Sequence, residues 1–586
     1  MVVNILRRTA AHSAIVLAAT ILAAPIVLAQ EVQPEHGTGR VSKAAVTASR
    51  HMIAAANPVA SQAGHDVLLA GGNAIDAAIA VQFMLNLVEP QSSGIGGGAF
   101  LVYFDAATST LTTFDGRETA PAAAMPDYFI GADGKPMKFF KAVPGGRSVG
   151  VPGTLKLLQV IHDKYGSKPW SDLIMPTAKL ARDGFAISPR MAGSIARSAE
   201  YGLDAFPAAR AYFFSADGAP KSAGTILKNP DFAATLETIA EKGAAAFYAG
   251  PVGEALVATI RSSPVNPGLM TLQDLAAYKI VERSPVCMAY RGYDVCGMGP
   301  PSSGALTVGQ ILAMLSHFDL PSMGAGVDAV HLIAEASKRA FADRGLYMAD
   351  ADHVRVPVAG LLDPAYMTFR AQGIDRLMTT GRAKAGNPPW KDAVNRAADL
   401  SPDRPGTSHF VIVDRQGNAV SMTTTIETGF GSRLMTGGFL LNNEMTDFSF
   451  VPQRNGRMVA NRVAGGKRPR SSMAPTIVMK NGKPYLLVGS PGGSRIIGYV
   501  AKTLIAILDW GMDPQAAIDL GHFINRNGDT DLEQNTAVAA MKDDLESRGH
   551  KVKIRDLNSG LHAILIAPDK LIGGADPRRE GLVLGQ

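Results

Sequence analysis

The chain has 586 residues, 46% of them hydrophobic, with a formal charge of +6 and no repeat period. That composition supports one large core or two domains and excludes a fibrous or disordered chain. The charge is small for the length, and no zinc-finger spacing, basic helix or aromatic–basic interleaving marks a nucleic-acid partner.

The first elements read as follows. Arg7 and Arg8 precede an apolar run from Ser13 to Leu28, and Val27-Leu28-Ala29 offers small side chains at a cleavage position. Residues 1–29 read as a secretory signal, with the mature chain starting near Gln30 in the periplasm or outside the cell. The rival is an uncleaved anchor, against which Pro25 and the Val-Leu-Ala end argue. No later stretch is long enough to span a bilayer. After a polar segment at 31–45, helices are predicted over Val59–Leu69 and Ala74–Leu87, broken at Gly71-Gly72-Asn73, with Asn73 as the cap of the second. Its Ala, Ile and Val content predicts burial against a sheet. The run Ser92–Phe100 is rich in glycine but lacks phosphate-loop spacing and a following lysine, so it reads as backbone packed closely beside a cleft. Leu101–Phe104 and Leu111–Asp115 read as paired strands.

Residues 155–350 are predicted mostly helical, with one hairpin holding the two cysteines, Cys287 and Cys296. If Arg291-Gly292 is a two-residue turn, the thiols lie opposite one another at a non-hydrogen-bonded pair. An oxidising compartment would permit a disulfide; bonded and free thiols both stay open, and a catalytic cysteine is less favoured. Residues 380–405, rich in Pro, Asp, Asn and Arg without apolar period, read as an exposed tether before a processing site. Beyond it, Thr407–Val413 and Ala419–Ile426 read as strands about a turn at Arg415–Asn418. Ser472–Met479 and Pro484–Gly489 read as a hairpin, Ile496–Leu508 and Pro514–Leu520 as helices, and Val552–Ile554 and Ala563–Ile566 as closing strands. Between Arg454 and Arg470 lie six cations and no acid, either a solvated loop or a positive rim that gathers acidic substrates. Helix, sheet, sheet and helix layers bury these elements most simply.

Cleavage between Gly406 and Thr407 would give Thr407 a free α-amine beside its hydroxyl, joining nucleophile and base in one residue. An α-amine titrates near pH 8 and so accepts a proton near neutrality. Gly406 crowds its own carbonyl least. Gly-Thr-Ser alone is a weak motif; its place after a tether and at the start of a strand gives it weight.

The segments Ser92–Phe100, Asp115–Pro121, Pro301–Gly304, Gly406–His409, Leu440–Phe448, Arg468–Met473 and Gly489–Gly493 together resemble the γ-glutamyltransferase family of N-terminal-nucleophile hydrolases, over about residues 43–584. The resemblance implies an α+β, four-layer αββα enzyme made as a precursor. It would be split into a large subunit, 30–406, and a small subunit, 407–586, in one intertwined fold. It implies hydrolysis and transfer of the γ-glutamyl group of glutathione or a related compound. Carried over by position, Thr407 is the nucleophile and Thr425 the hydroxyl that orients it. Arg117 grips the donor α-carboxylate, assisted by Ser471 and Ser472. Glu444 and Asp447 face the α-ammonium, and Gly492 and Gly493 offer N–H groups to the oxyanion. No cofactor or metal is implied, and a dimer of heterodimers is left open.

Two departures bear on specificity. Glu427 stands where the family's transferases commonly have Asn: facing the ammonium it adds negative charge and still favours an amino acid, whereas facing a carboxylate it would repel it and the donor must differ. The segment from Asp447 to Ser471 is shorter than in lid-bearing members, which predicts that hydrolysis outruns transfer. An alternative in the same family is a glutaryl-type acylase, whose donor lacks the α-ammonium; Glu427, Glu444 and Asp447 argue against it. A third reading is an inert secreted binding module, which would show neither a Thr407 terminus nor amide hydrolysis.

Overall fold

The computed structural model describes residues 35, 37–392, 395–401 and 404–586. The expected signal, 1–29, lies outside them. In chain order the main strands are β1 (Val46–Ala48), β2 (Met52–Ala55), β3 (Gly98–Asp105), β4 (Thr110–Gly116), β5 (Val281–Arg283), β6 (Val286–Tyr290) and β7 (Tyr293–Gly297). They continue with β8 (Thr407–Val413), β9 (Ala419–Thr425), β10 (Thr476–Lys480), β11 (Lys483–Gly489), β12 (His562–Ile566), β13 (Leu571–Ala575) and β14 (Leu582–Gly585). They form two seven-stranded antiparallel sheets, ordered β14-β2-β8-β9-β3-β4-β5 and β1-β13-β12-β11-β10-β7-β6.

Side-chain alternation along β8 explains the layering. Phe410 and Ile412 join a core with helices α1 (Pro58–Leu69) and α2 (Ala74–Val88). Val411 and Val413 turn the other way and meet Ile477, Leu487 and Ile564 of the second sheet. That sheet's outer face, with Val478, Leu486 and Val488, packs on α3 (Gly304–Leu315), α4 (Val327–Tyr347) and α5 (Ile496–Leu508). The result is the expected αββα sandwich. The α2 cap is as predicted: Asn73 accepts from Ile75 and Asp76 N–H groups, Asp76 returns a bond to Asn73 N–H, and every residue of α2 is buried.

The hairpin at Arg291-Gly292 forms as predicted, with both residues at positive φ. It pairs Cys287 with Cys296, and the two are bonded in a disulfide.

Several expectations need correction. The strand foreseen from Ser472 begins only at Thr476, because Ser471 bridges Ser302 instead and Ser472 Oγ accepts from Arg344. Strands β13 and β14 were not foreseen, and Val552–Arg555 belongs to a separate small sheet. The stretch 380–405 is not a free tether in its described part. Arg396–Ala397 pairs with Met458–Val459, and buried Asp399 pairs with Arg470. Three of the six cations left open as a solvated loop or a positive rim are taken up inside the fold. Arg470 meets Asp399, Arg468 meets Asp115, and Lys467 donates to the carbonyls of Ala460 and Arg462.

Among the described residues no single helix is long and apolar enough to cross a membrane. The stretch 230–261 reaches that length only as two helices joined across a bend of 113°.

Candidate active site

The pocket opens where β8 begins. Thr407 is its first residue and lies in register with Thr425, the last of β9. Their hydroxyl oxygens are 3.5 Å apart, long for a hydrogen bond. In the uncut chain the Thr425 hydroxyl instead donates to the Gly406 carbonyl at 2.7 Å and accepts from the Glu427 N–H at 2.8 Å. Two glycines make this approach feasible. A Cβ on Gly97, across from β9, would lie 2.0 Å from the Thr425 carbonyl oxygen, and one on Gly406 would lie 2.0 Å from that of Glu427. The run Ser92–Phe100 is therefore packing backbone beside a cleft, as read from sequence.

The pocket brings together Arg117, Thr407, Thr425, Glu427, Glu444, Asp447, Ser471, Ser472 and Gly493. Arg117 follows the end of β4, with its N–H held by Asp115. Its guanidinium is anchored from behind by the carbonyls of Pro469 and Arg470, at 3.2 and 3.1 Å. Its front is filled by carboxylates: Glu444 on Nη1 and Asp447 on Nη2, the latter at 2.6 Å. Both acids come from one short 3-10 turn, Glu444–Asp447, where a spacing of three sets them on one side. The residues assigned to opposite ends of a donor thus pair with each other. Ser471 is pinned through its carbonyl by the N–H and hydroxyl of Ser303. Gly493 opens the turn before α5 at φ 59°, a conformation that suits glycine. Gly492, at φ 134°, faces the Tyr499 ring and does not line the pocket.

Burial governs the electrostatics. Burial pushes the carboxyls of Glu427 and Glu444 well above the usual range, and nearby acids reinforce this. Glu118, 3.7 Å from Arg117, is raised to about 7 by burial, partly opposed by Arg117. Burial opposes the charge on Arg117, yet Glu444, Asp447 and Glu118 hold it above its ordinary range. Glu427 accepts from Asn443 through one oxygen; the other is buried with no partner among the described residues.

Sequence reasoning missed several contributors. Arg404, Met473 and Ile496 also line the pocket. Behind β8, Ser408 donates to Glu89 at 2.8 Å, Glu89 pairs with Arg190, and Glu35 pairs with both Arg190 and Arg579. Arg579 reaches the Thr407 carbonyl at 3.4 Å. These partners are far apart in sequence and carry no local motif. His409, on the same face as Thr407, is held neutral by burial and bonds Thr423.

The gamma-glutamyltranspeptidase family profile matches residues 60–586. The chain belongs to this family. Its relatives include the glutathione hydrolase proenzymes of Bacillus subtilis and Escherichia coli. Each is 38% identical, covering 91% of this chain and 91% of the relative. Among solved structures, a cephalosporin acylase from Bacillus halodurans superposes with a TM-score of 0.83 at 27% identity, covering 94% of this chain and 98% of the acylase. The chain is thus similar to proteins carrying two kinds of name, glutathione hydrolase and cephalosporin acylase.

Proposed function

We propose that this chain is an autoprocessed γ-glutamyl hydrolase and transferase acting through Thr407. The observation that carries the reading is the Thr425 hydroxyl on the Gly406 carbonyl at 2.7 Å, beside the Thr407 hydroxyl. That donor polarises the carbonyl Thr407 must attack. Thr407 Oγ adds to the Gly406 carbonyl carbon, the peptide C–N bond breaks, and the Thr407 nitrogen takes the proton. Water then cleaves the resulting ester, leaving chains 30–406 and 407–586.

In the cut enzyme the Thr407 α-amine takes the hydroxyl proton as the oxygen attacks the donor γ-carbonyl. The Gly493 N–H, which lines the pocket, holds the oxyanion, the departing amine recovers the proton, and water or an amine acceptor releases the γ-glutamyl group. The donor's α-amino acid end is a zwitterion. Its carboxylate replaces Glu444 and Asp447 on Arg117, aided by Ser471 and Ser472, while its ammonium takes over the two acids. Such an exchange conserves the buried charge that an unpaired ion would leave uncompensated. Glu427 and Asp447 both line the pocket, and a donor ammonium placed between them would oppose the burial that keeps the Glu427 carboxyl protonated, so the site favours an amino acid. The donor is glutathione or a related γ-glutamyl compound, and the short segment from Asp447 to Ser471 favours water over acceptors. The enzyme works in the periplasm or outside the cell.

The likeness to a cephalosporin acylase supports a second reading, with a glutaryl donor. A glutaryl group brings no ammonium for Glu427, Glu444 and Asp447. Comparing kcat/KM for γ-glutamyl and glutaryl anilides tests the choice: the γ-glutamyl compound is favoured more than tenfold, and a glutaryl preference would overturn the assignment.

A further inference from the structure

The segment that delivers the scissile bond also brings a cation into an aromatic corner. The Arg404 guanidinium carbon lies 4.2 Å from the centre of the Phe139 ring and 4.5 Å from that of Phe140. The two rings meet edge to face at 87°, so they form two walls and not one flat patch. Tyr201 stacks on Phe140 at 4.9 Å. Phe140 is 40% exposed and Tyr201 50%. Arg404 Nε is buried and has no hydrogen-bond partner among the described residues. Arg404 and Glu427 line the same pocket as Thr407, and among the described residues Glu427 is an acid that favours the charge on this guanidinium. Two aromatic faces set at a right angle are what a delocalised cation selects.

We propose that the corner of Phe139, Phe140 and Tyr201, facing Glu427, is a cation subsite beside the nucleophile. Arg404 fills it in the uncut chain; after cleavage it receives a guanidinium or alkylammonium group of the acceptor or leaving group. The second half rests on cleavage at Gly406–Thr407. Before the cut Arg404 is tethered on both sides. Afterwards it is the third residue from a chain end, so its effective concentration in the corner falls and a soluble cation competes.

The test uses binding, so it does not depend on turnover. Thr407→Ala keeps the chain whole with Arg404 in place, and adding Arg404→Ala empties the corner. Calorimetry compares N-acetyl-L-argininamide with its citrulline counterpart, which has the same shape without charge. The double variant binds the arginine compound on the order of tenfold more tightly than Thr407→Ala does, and on the order of tenfold more tightly than it binds the citrulline compound. Adding Phe139→Leu and Phe140→Leu abolishes that preference. Equal binding of the two compounds by the double variant overturns the proposal, as does a preference that survives both leucines. Should the leucine variants fail to fold, the charged-against-neutral comparison in the double variant still decides. A wild-type chain that stays whole on a gel would refute the cleavage reading, while the binding comparison judges the corner on its own.

Discussion

Replacing Thr425 by Val removes one hydroxyl and keeps the shape of the side chain, so its effect can be worked out from the contacts. That hydroxyl makes the 2.7 Å bond to the Gly406 carbonyl and takes the Glu427 N–H at 2.8 Å. Loss of one donor to a developing oxyanion costs about 3–4 kcal/mol, or on the order of 10²–10³ in rate. Self-cleavage therefore slows by that factor. The orphaned Glu427 N–H adds about 1–3 kcal/mol of destabilisation. After the cut the Gly406 carbonyl has left, and Thr425 only orients the Thr407 hydroxyl. A hydrogen bond of about 1 kcal/mol then gives a loss in turnover of roughly fivefold. A gel time course gives the processing rate, and anilide hydrolysis normalised to cut enzyme gives turnover. Thr425→Ser should restore both. Processing at the wild-type rate in Thr425→Val would refute the reasoning.

Further outcomes follow from the same contacts. Arg117→Lys keeps the charge but loses the fork, so donor kcat/KM falls roughly 10–100-fold while self-cleavage continues; unchanged donor kinetics would remove Arg117 from recognition. Arg117→Ala is a poorer probe, because unpaired Glu444 and Asp447 cost about 3–5 kcal/mol of stability. Glu118, raised to about 7, is neutral below that value. Its contribution to stability is fully present below the ordinary carboxylate range and is lost as pH rises through about 7. Above it the ionised carboxylate competes for Arg117, so donor KM rises between pH 6 and 8, and Glu118→Gln flattens that rise. Gly97→Ala, which sets a methyl 2.0 Å from the Thr425 carbonyl, prevents processing; a normally cut, active protein would contradict the described packing. Replacing both Cys287 and Cys296 by Ser costs about 2–3 kcal/mol by the chain-entropy argument, seen as a lower Tm with donor turnover retained.

The legible parts of the sequence were those with local causes. Asn73 before an apolar run specified a capped helix, Arg291-Gly292 a tight turn, and alternation from Thr407 a strand. Strand β13 escaped because it contains Gly573 and Gly574, poor strand formers by composition. They are needed because a Cβ there would meet Met52 Sδ at 2.6 Å and the Gln515 backbone at 2.9 Å. The run Arg454–Arg470 read as a possible cationic rim because its counter-charges, Asp115 and Asp399, lie elsewhere in the chain. The site itself was legible mainly through the resemblance, since its arginine lies 327 residues from Glu444 and far from the segment that carries the acids and serines. Neither the pairing of Arg117 with Glu444 and Asp447 nor the seat of Arg404 between two phenylalanines leaves a sequence pattern.

The central claim is that Thr407 becomes a chain terminus and only then works as a catalyst. Intact-mass spectrometry of active protein tests it most directly. The account predicts two polypeptides, the smaller spanning 407–586 with Thr at its amino end, and a single inactive chain for Thr407→Ala. Full activity from an unbroken polypeptide would contradict it.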